Sequence, residues 1–166
     1  MNKKVYALVL ASVLTLSLAN RVFAQEESAR FSPFMLSFVN PIQVPPADFD
    51  IGGFKLNLIY GECHDMTGLD IGLFSQNMGD ATALHINGVS VVGGNGNGLM
   101  ISLIANYVEG EYGGLQIGAY NHATHLSGLQ IGVINYANTA YGLQIGVVNV
   151  IQDNDIPFLP IINGYF

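Results

Sequence analysis

The sequence is poor in charge, and most of the charge it carries is negative. Only 10% of its 166 residues are charged, with five Lys and Arg against twelve Asp and Glu, for a formal net charge of −7. So few cations cannot neutralise a run of phosphates, which excludes nucleic acid as a partner. Attraction to anionic lipid headgroups is disfavoured for the same reason.

Cysteine is almost absent as well. Cys63 is the single cysteine of the chain, so an internal disulfide is impossible. Half of the residues are hydrophobic, which excludes disorder on composition and supplies enough material for a core. Stability must therefore come from burial and from backbone pairing.

The first residues have the order of a secretory signal peptide. A basic start, "MNKK", precedes the apolar run "VYALVLASVLTLSLA" and the small-residue site "VFA". This order predicts cleavage after Ala24. The apolar run is short for a membrane span of roughly 20 residues and ends at Arg21, which disfavours an uncleaved anchor. Cleavage would leave Arg30 and Lys55 as the only cationic side chains.

A short repeat fills most of the remaining chain. "GLQIG" begins at Gly114, Gly128 and Gly142, and degenerate copies begin at positions 53, 68, 83 and 98, so the steps are 14 to 16 residues. Weaker copies are "MLSFVN" at 35–40 and "FLPIIN" at 158–163. We predict a signal peptide (1–24), an N-terminal lead-in and cap (25–52), a β repeat array (53–155) and a C-terminal cap (156–166), with proline-rich caps.

Each copy alternates apolar with polar or small residues, contains an internal glycine and is rich in β-branched residues. Period two rather than 3.6 predicts one strand per copy and an all-β fold. Near-constant copy length favours a β-solenoid of 14–16-residue coils, because stacking rewards one residue type per position. A small antiparallel β-barrel or meander is the alternative, since tyrosines near the strand ends are typical of an aromatic girdle and the chain ends in Phe166.

Alternation also predicts which side chains point inward. We expect the leucines of the copies to fill the core with the isoleucines beside them, and the asparagines to stack at a corner with amide hydrogen bonds from coil to coil. The glutamines would form an outward ladder beside glycines. Exposed strips of this kind often contact a partner. The predicted interaction strip is Gln116, Gln130, Gln144, Tyr120, Ile134 and Val148.

No motif predicts a catalytic, cofactor-binding or metal-binding residue. "GECHD" (61–65) contains four potential metal ligands, but immediate neighbours cannot easily converge on one ion, so we interpret it as a polar loop. "GGNGNG" (93–98) lacks the Lys-Ser or Lys-Thr of a phosphate loop and is interpreted as a turn. His85 replaces the repeat glutamine and is expected to point outward, whereas His122 and His125 are expected on the surface.

The units "GLDIGLFSQ", "GLQIGVINYA" and "GLQIGVVNVI" resemble those of the bacterial surface-repeat family, which comprises exported proteins and lipoproteins of spirochaetes, gut anaerobes and some proteobacteria. The entry segment "PIQVPPADFDIGGFKLNLIYGE" and the closing "IPFLPIIN" are also similar to that family, over roughly residues 33–166. The resemblance implies an envelope or cell-surface location and no particular activity. This chain lacks the lipidated cysteine of the lipoprotein members.

The sequence therefore predicts a non-enzymatic, exported envelope or cell-surface repeat protein that serves as an interaction or scaffolding module. Its partner would be a protein or a glycan, with self-association and membrane association as further options and no cofactor. One alternative is a small outer-membrane β-barrel protein. Another is a polysaccharide-acting enzyme on a β-solenoid, with Glu109 and Glu111 as an acid pair.

Overall fold

The computed structural model describes residues 30–166, which contain strands and turns and no helix, so no helix in this part could cross a membrane. The predicted signal peptide, and residues 25–29 of the predicted lead-in, lie outside the described residues. The strands are β1 Arg30–Val39, β2 Ile42–Val44, β3 Phe49–Cys63, β4 Met66–Asn77, β5 Ala81–Val92, β6 Gly96–Ile151 and β7 Phe158–Tyr165. They form one sheet in the order β2-β1-β3-β4-β5-β6-β7.

Successive copies of the repeat stack in parallel register. Ile51 pairs with Met66, Met66 with Ala81, and Ala81 with Gly96, so each residue lies beside its equivalent in the next copy. β6 is 56 residues long and comprises the four coils that begin at Gly98, Gly114, Gly128 and Gly142. The predicted β-solenoid is confirmed. The antiparallel alternative is wrong for the repeat array, since its strands pair in parallel.

The last strand reverses direction. β7 pairs antiparallel with the end of β6, placing Ile162 opposite Ile145 and Asn163 opposite Gln144. The expectation that "FLPIIN" continues the period is therefore wrong, because a further coil would pair in parallel. At the other end of the sheet β1 lies beside β3 and pairs antiparallel with the short β2. Each end of the array thus carries an antiparallel strand, β2 at one end and β7 at the other.

The interior holds the polar side chains of the repeat, which reverses the prediction. Gln116, Gln130 and Gln144 are each 0% exposed, whereas the leucines and isoleucines that flank them are only half-buried and point outward. Alternation shows that the two faces of a strand differ, but it does not show which face is inside. Burying a polar group costs little free energy when the group is hydrogen-bonded. Stacked coils supply that bond, because they place an equivalent amide above and below each one.

The predicted asparagine ladder is confirmed, and a glutamine ladder lies beside it. Nδ2 of Asn106 donates to Oδ1 of Asn121 at 2.8 Å, and the same bond links Asn121 to Asn135 and Asn135 to Asn149. In the glutamine ladder the donor lies in the later coil: Nε2 of Gln144 donates to Oε1 of Gln130, and Nε2 of Gln130 donates to Oε1 of Gln116.

Each ladder ends in one acceptor without a partner. These are Oδ1 of Asn106, at the start of the asparagine ladder, and Oε1 of Gln144, at the end of the glutamine ladder. Every amide in a ladder donates to its neighbour in the same direction. The first donor of each ladder therefore has no neighbour that donates to its own oxygen. Unpaired groups at these places are therefore a property of ladder ends.

Small and medium apolar side chains fill the rest of the interior. One column is Cys63, Asn77, Val92, Val108, Ala123, Ala137 and Ile151, all buried, with Asn77 as its polar member. Among the described residues Tyr112 is the largest fully buried side chain, and its hydroxyl has two carbonyl oxygens as acceptors for its single proton, that of Gly98 at 2.9 Å and that of Leu115 at 3.0 Å. The repeat glycines also face this interior. A Cβ at Gly132 would lie 2.6 Å from Nδ2 of Asn121, so glycine leaves the space that the asparagine ladder occupies.

Replacing one ladder amide should destabilise the whole array. Asn135 donates to Asn149 and to the carbonyl of Ile145, and it accepts from Asn121. Asn135→Ala removes these three bonds and leaves buried partners unpaired, so we expect a loss of about 2–4 kcal/mol in the free energy of unfolding. Urea denaturation measures it. Asn138→Ala, at a half-buried position of β6 outside the ladder, is the matched control and should cost less than about 1 kcal/mol. Equal losses in the two variants would contradict a stabilising role for the ladder.

Candidate interaction surface

Half of the solenoid's circumference is apolar on its outer side. From the first residue of each copy to its ladder asparagine, or to Gly61, Ser75 and Ser90 at that position in the first three copies, the outward positions carry aliphatic or aromatic side chains, apart from Gly88. We call this surface the outer face. It is formed by Phe54, Leu56, Leu58, Ile59, Tyr60, Leu69, Ile71, Leu73, Phe74, Leu84, Ile86, Val89, Leu99, Ile101, Leu103, Ile104, Ala105, Leu115, Ile117, Ala119, Tyr120, Leu129, Ile131, Val133, Ile134, Leu143, Ile145, Val147 and Val148. Contiguous exposed apolar areas of this kind mark interaction sites.

The outer face has a ridge and a groove that run along the solenoid axis. The ridge consists of Leu73, Leu103, Val133 and Val147, at equivalent positions of four coils, with Leu103 81% exposed and Val147 66% exposed. The coils between them carry Gly88 and Ala119 at that position, which leaves two gaps in the ridge. The groove, of about 640 Å³, separates this ridge from the column of repeat isoleucines. Its apolar lining is Ile86, Ile101, Ile117, Ile131, Leu103, Ala119 and Val133.

The end strands continue the outer face. In β1, Phe34, Leu36 and Phe38 are exposed while Met35 and Ser37 between them are buried. In β7, Ile162 is exposed and lies opposite Ile145. With about 4.8 Å between rows and 3.3 Å per residue, the face measures roughly 35–40 Å by 20 Å, or about 700–800 Å². That exceeds the largest apolar patch of a typical monomeric protein, roughly 300–600 Å².

The structure divides the predicted interaction strip between two environments. Its three glutamines lie inside the solenoid and cannot contact a partner, so the prediction of an outward glutamine ladder is wrong. Tyr120, Ile134 and Val148 do lie on the outside, beside the ridge, where Ile134 is exposed and the other two are half-buried. The leucines and isoleucines that we expected in the core are the missed residues of this surface. The sequence shows that these residues recur in every copy, but it does not show whether they point to the inside or the outside of the coil.

The opposite corner of the solenoid is acidic. There the side chain of one coil accepts a hydrogen bond from the backbone N–H of the equivalent residue in the next coil. Asp65 Oδ1 accepts from Asp80 at 2.8 Å, Asp80 Oδ1 accepts from Asn95 at 2.7 Å, and Asn95 Oδ1 accepts from Glu111 at 2.9 Å. The negative charges of this ladder therefore lie away from the outer face.

One group on this corner has metal-ligating atoms close together. Asp50, His64 and Asp65 place one ligand atom each within 4.8 Å of one another, with His64 Nδ1 2.9 Å from Asp50 Oδ1. The stacking of coils, and not the "GECHD" segment alone, brings Asp50 to this place. Asp50 Oδ1 already accepts the backbone N–H of Asp65 at 3.3 Å, so the carboxylate also belongs to the corner ladder.

A stack of aromatic rings lies between the apolar and acidic sides. His122 lies between Tyr107 and Tyr136, with ring centroids 4.4 Å and 5.3 Å away and nearly parallel planes. Burial lowers the pKa of His122, although its contact with the Val108 carbonyl opposes this. His122 is therefore a half-buried part of the stack, whereas His125 is exposed as predicted and contacts Thr139.

The first coils enclose a charged cluster at the position that glutamine occupies later in the array. Lys55, Asp70 and His85 are all buried there, so the prediction that His85 points outward is wrong. Asp70 accepts from Asn57 and Ser75 and contacts Nδ1 of His85 at 2.9 Å. Burial alone would raise the pKa of Asp70, but the hydrogen bond from His85 and the charge of Lys55 outweigh it and hold that pKa below its ordinary value.

Cys63 belongs to the same cluster. Lys55 Nζ donates to Asn77 Oδ1 at 2.8 Å and lies 3.3 Å from Cys63 Sγ. Burial raises the pKa of Cys63 to about 11, an effect that the nearby Lys55 charge reduces. The group is therefore a thiol at neutral pH, and with 0% exposure it cannot act as a nucleophile on an external substrate.

Comparison of the chain with protein-family models, with curated proteins and with solved structures finds no match.

The Asp70 carboxylate should make stability depend on acidity. Because its folded pKa lies below the unfolded value of about 3.9, its contribution is fully present above that value and is lost as the pH falls through the folded pKa. We expect Asp70→Asn to lower the free energy of unfolding by about 3–5 kcal/mol at pH 7, since Lys55 loses its compensating charge. The gap between variant and wild type should narrow below about pH 4. Urea denaturation from pH 7 to pH 2 measures it, and a gap independent of pH would contradict the assignment.

Proposed function

We propose that this chain is a non-enzymatic, exported repeat protein of the cell envelope or cell surface, and that its outer face is an interaction surface. The observation that carries the proposal is the apolar outer face. Each coil of the repeat contributes apolar side chains to it. In the described part of the chain the polar side-chain groups of this face are the hydroxyls of Tyr60 and Tyr120, so it offers burial as its main source of binding free energy.

The chemistry of the remaining described surface supports an interaction module over a catalyst. The polar groups with unusual environments, Asp70, His85 and Cys63, are enclosed within the solenoid. The exposed acidic residues of the corner accept backbone hydrogen bonds in a regular ladder, which is a stacking role. The signal-peptide order of residues 1–24 and the resemblance of the repeat to exported surface proteins support the location.

Location can be tested by fractionating cells that express the full chain. We expect the chain in the envelope fraction, shortened by the predicted cleavage after Ala24, because the leader directs export. Mass spectrometry of the N-terminus identifies the cut, and protease added to intact cells separates a surface location from an internal one. An uncut chain in the cytosolic fraction would contradict the proposal.

The interaction surface can be tested with a photoreactive amino acid placed at single positions in the same cells. We expect irradiation to give a covalent adduct from Val147, which is 66% exposed on the ridge. Ser127 is exposed beside Asn95 and Glu111 of the acidic corner, so it is the matched control and should give no adduct. Photochemistry is preferable to amine cross-linking because Lys55 is buried. No adduct from Val147, or equal adducts from both positions, would mean that the outer face is not the binding surface.

A further inference from the structure

We propose that the outer face is a two-fold interface between two copies of this chain. The inference rests on the proposed function, in which the outer face is the binding surface, and it names the partner. Three observations support it: the area of the face, its shape and the distribution of charge around it.

The area fits a stable dimer. A standard protein–protein interface buries about 800 Å² on each partner. The outer face, at roughly 700–800 Å² from the row and residue spacings, supplies nearly that amount in one continuous surface. Its composition is that of a permanent interface, because most of the side chains are Leu, Ile, Val and Phe, with no charged residue among the outward positions.

The shape is self-complementary. Leu103 projects between two gaps in the ridge, at Gly88 and Ala119, which occupy the equivalent positions of the neighbouring coils. When a second copy faces the first about a two-fold axis, Leu103 of each copy can pack into a gap in the ridge of the other. This is an isologous contact, in which the same patch is used twice and the assembly closes at two copies.

Charge also permits this pairing. Both copies carry a net negative charge, but the acidic ladder of Asp50, Asp65, Asp80 and Glu111 lies on the corner opposite to the outer face. Two copies that meet by their outer faces therefore keep these carboxylates apart. Contact through any surface that includes the acidic corner would bring like charges together, which is unfavourable.

A lipid surface fits the outer face less well. Proteins that lie on membranes are anchored by Trp and by Lys or Arg around the apolar face. This chain has no Trp, and within residues 30–166 its cations are Arg30 and the buried Lys55. The acidic corner would also be repelled by anionic headgroups.

The test is sedimentation velocity of the purified chain in detergent-free buffer over a range of concentrations. We expect the mass of two copies for the wild type. The double variant Leu103→Glu, Val133→Glu places four carboxylates in the interface, so its dissociation constant should rise by roughly a hundredfold or more. The matched control, Thr82→Glu with Ser127→Glu, adds the same charges at exposed positions on the polar side and should remain dimeric. Circular dichroism checks that both variants keep their strands.

A cysteine probe gives a second readout that does not depend on a disruptive change. Because Cys63 is fully buried, an introduced cysteine is the reactive thiol of the folded chain. Leu103→Cys should react with a maleimide slowly at high protein concentration and faster after dilution, since the dimer covers it. Ser127→Cys should react at the same rate at both concentrations.

Four outcomes would overturn the proposal. These are a monomeric wild type, a dimer that the ridge variant leaves intact, assemblies larger than two copies, and flotation of a monomeric chain with phosphatidylcholine vesicles. Other results would contradict the proposed function: a cytosolic location of the chain, or no covalent adduct from the photoreactive amino acid at Val147. A Val147 adduct with a different protein would retain the proposed function and remove this inference, whereas an adduct of twice the chain mass supports both.

Discussion

The structure depends on one interaction, the hydrogen bond between like amide side chains of neighbouring coils. Asn121 and Asn135 can bond only when their coils lie one strand spacing apart and in exact register. Each ladder therefore fixes the stacking distance and the alignment together. It also fills the interior with polar groups that have no need of water. The apolar side chains of the same strands must then point outward, so the ladder and the apolar outer face are two results of one alternation.

The interior changes along the array while the backbone path stays the same. At the position between the repeat leucine and isoleucine, the first three coils carry Lys55, Asp70 and His85, and the last three carry glutamine. The former are held by hydrogen bonds with other side chains, and the latter by hydrogen bonds between side-chain amides of neighbouring coils. A buried charge costs free energy and must be balanced by specific partners. A side-chain amide, by contrast, can form a hydrogen bond with the equivalent amide of the next coil. Regular repetition of sequence is accordingly strongest where the amides lie, from Gly114 onward.

Sequence alone predicted the architecture and half of the interior. The period, the strand in each copy and the asparagine ladder followed from spacing, since equivalent residues stack whichever way they point. The inward orientation of the glutamines did not follow from the sequence. Apolar residues are usually expected inside because a buried amide is assumed to lack a hydrogen-bond partner. Gln130 has one only once the coils are stacked. The reversal of β7 was hidden for a similar reason, since Ile162 suits a strand of either direction.

The two interior ladders donate in opposite directions, which has an electrostatic consequence. Each bonded row of amides is a line of aligned dipoles, and a long line of this kind polarises its own members. The asparagine row, with Asn106 donating toward Asn149, is aligned one way, and the row from Gln144 to Gln116 is aligned the other way. Their fields along the axis oppose each other. Additional copies could lengthen the array without building a potential difference between its two ends.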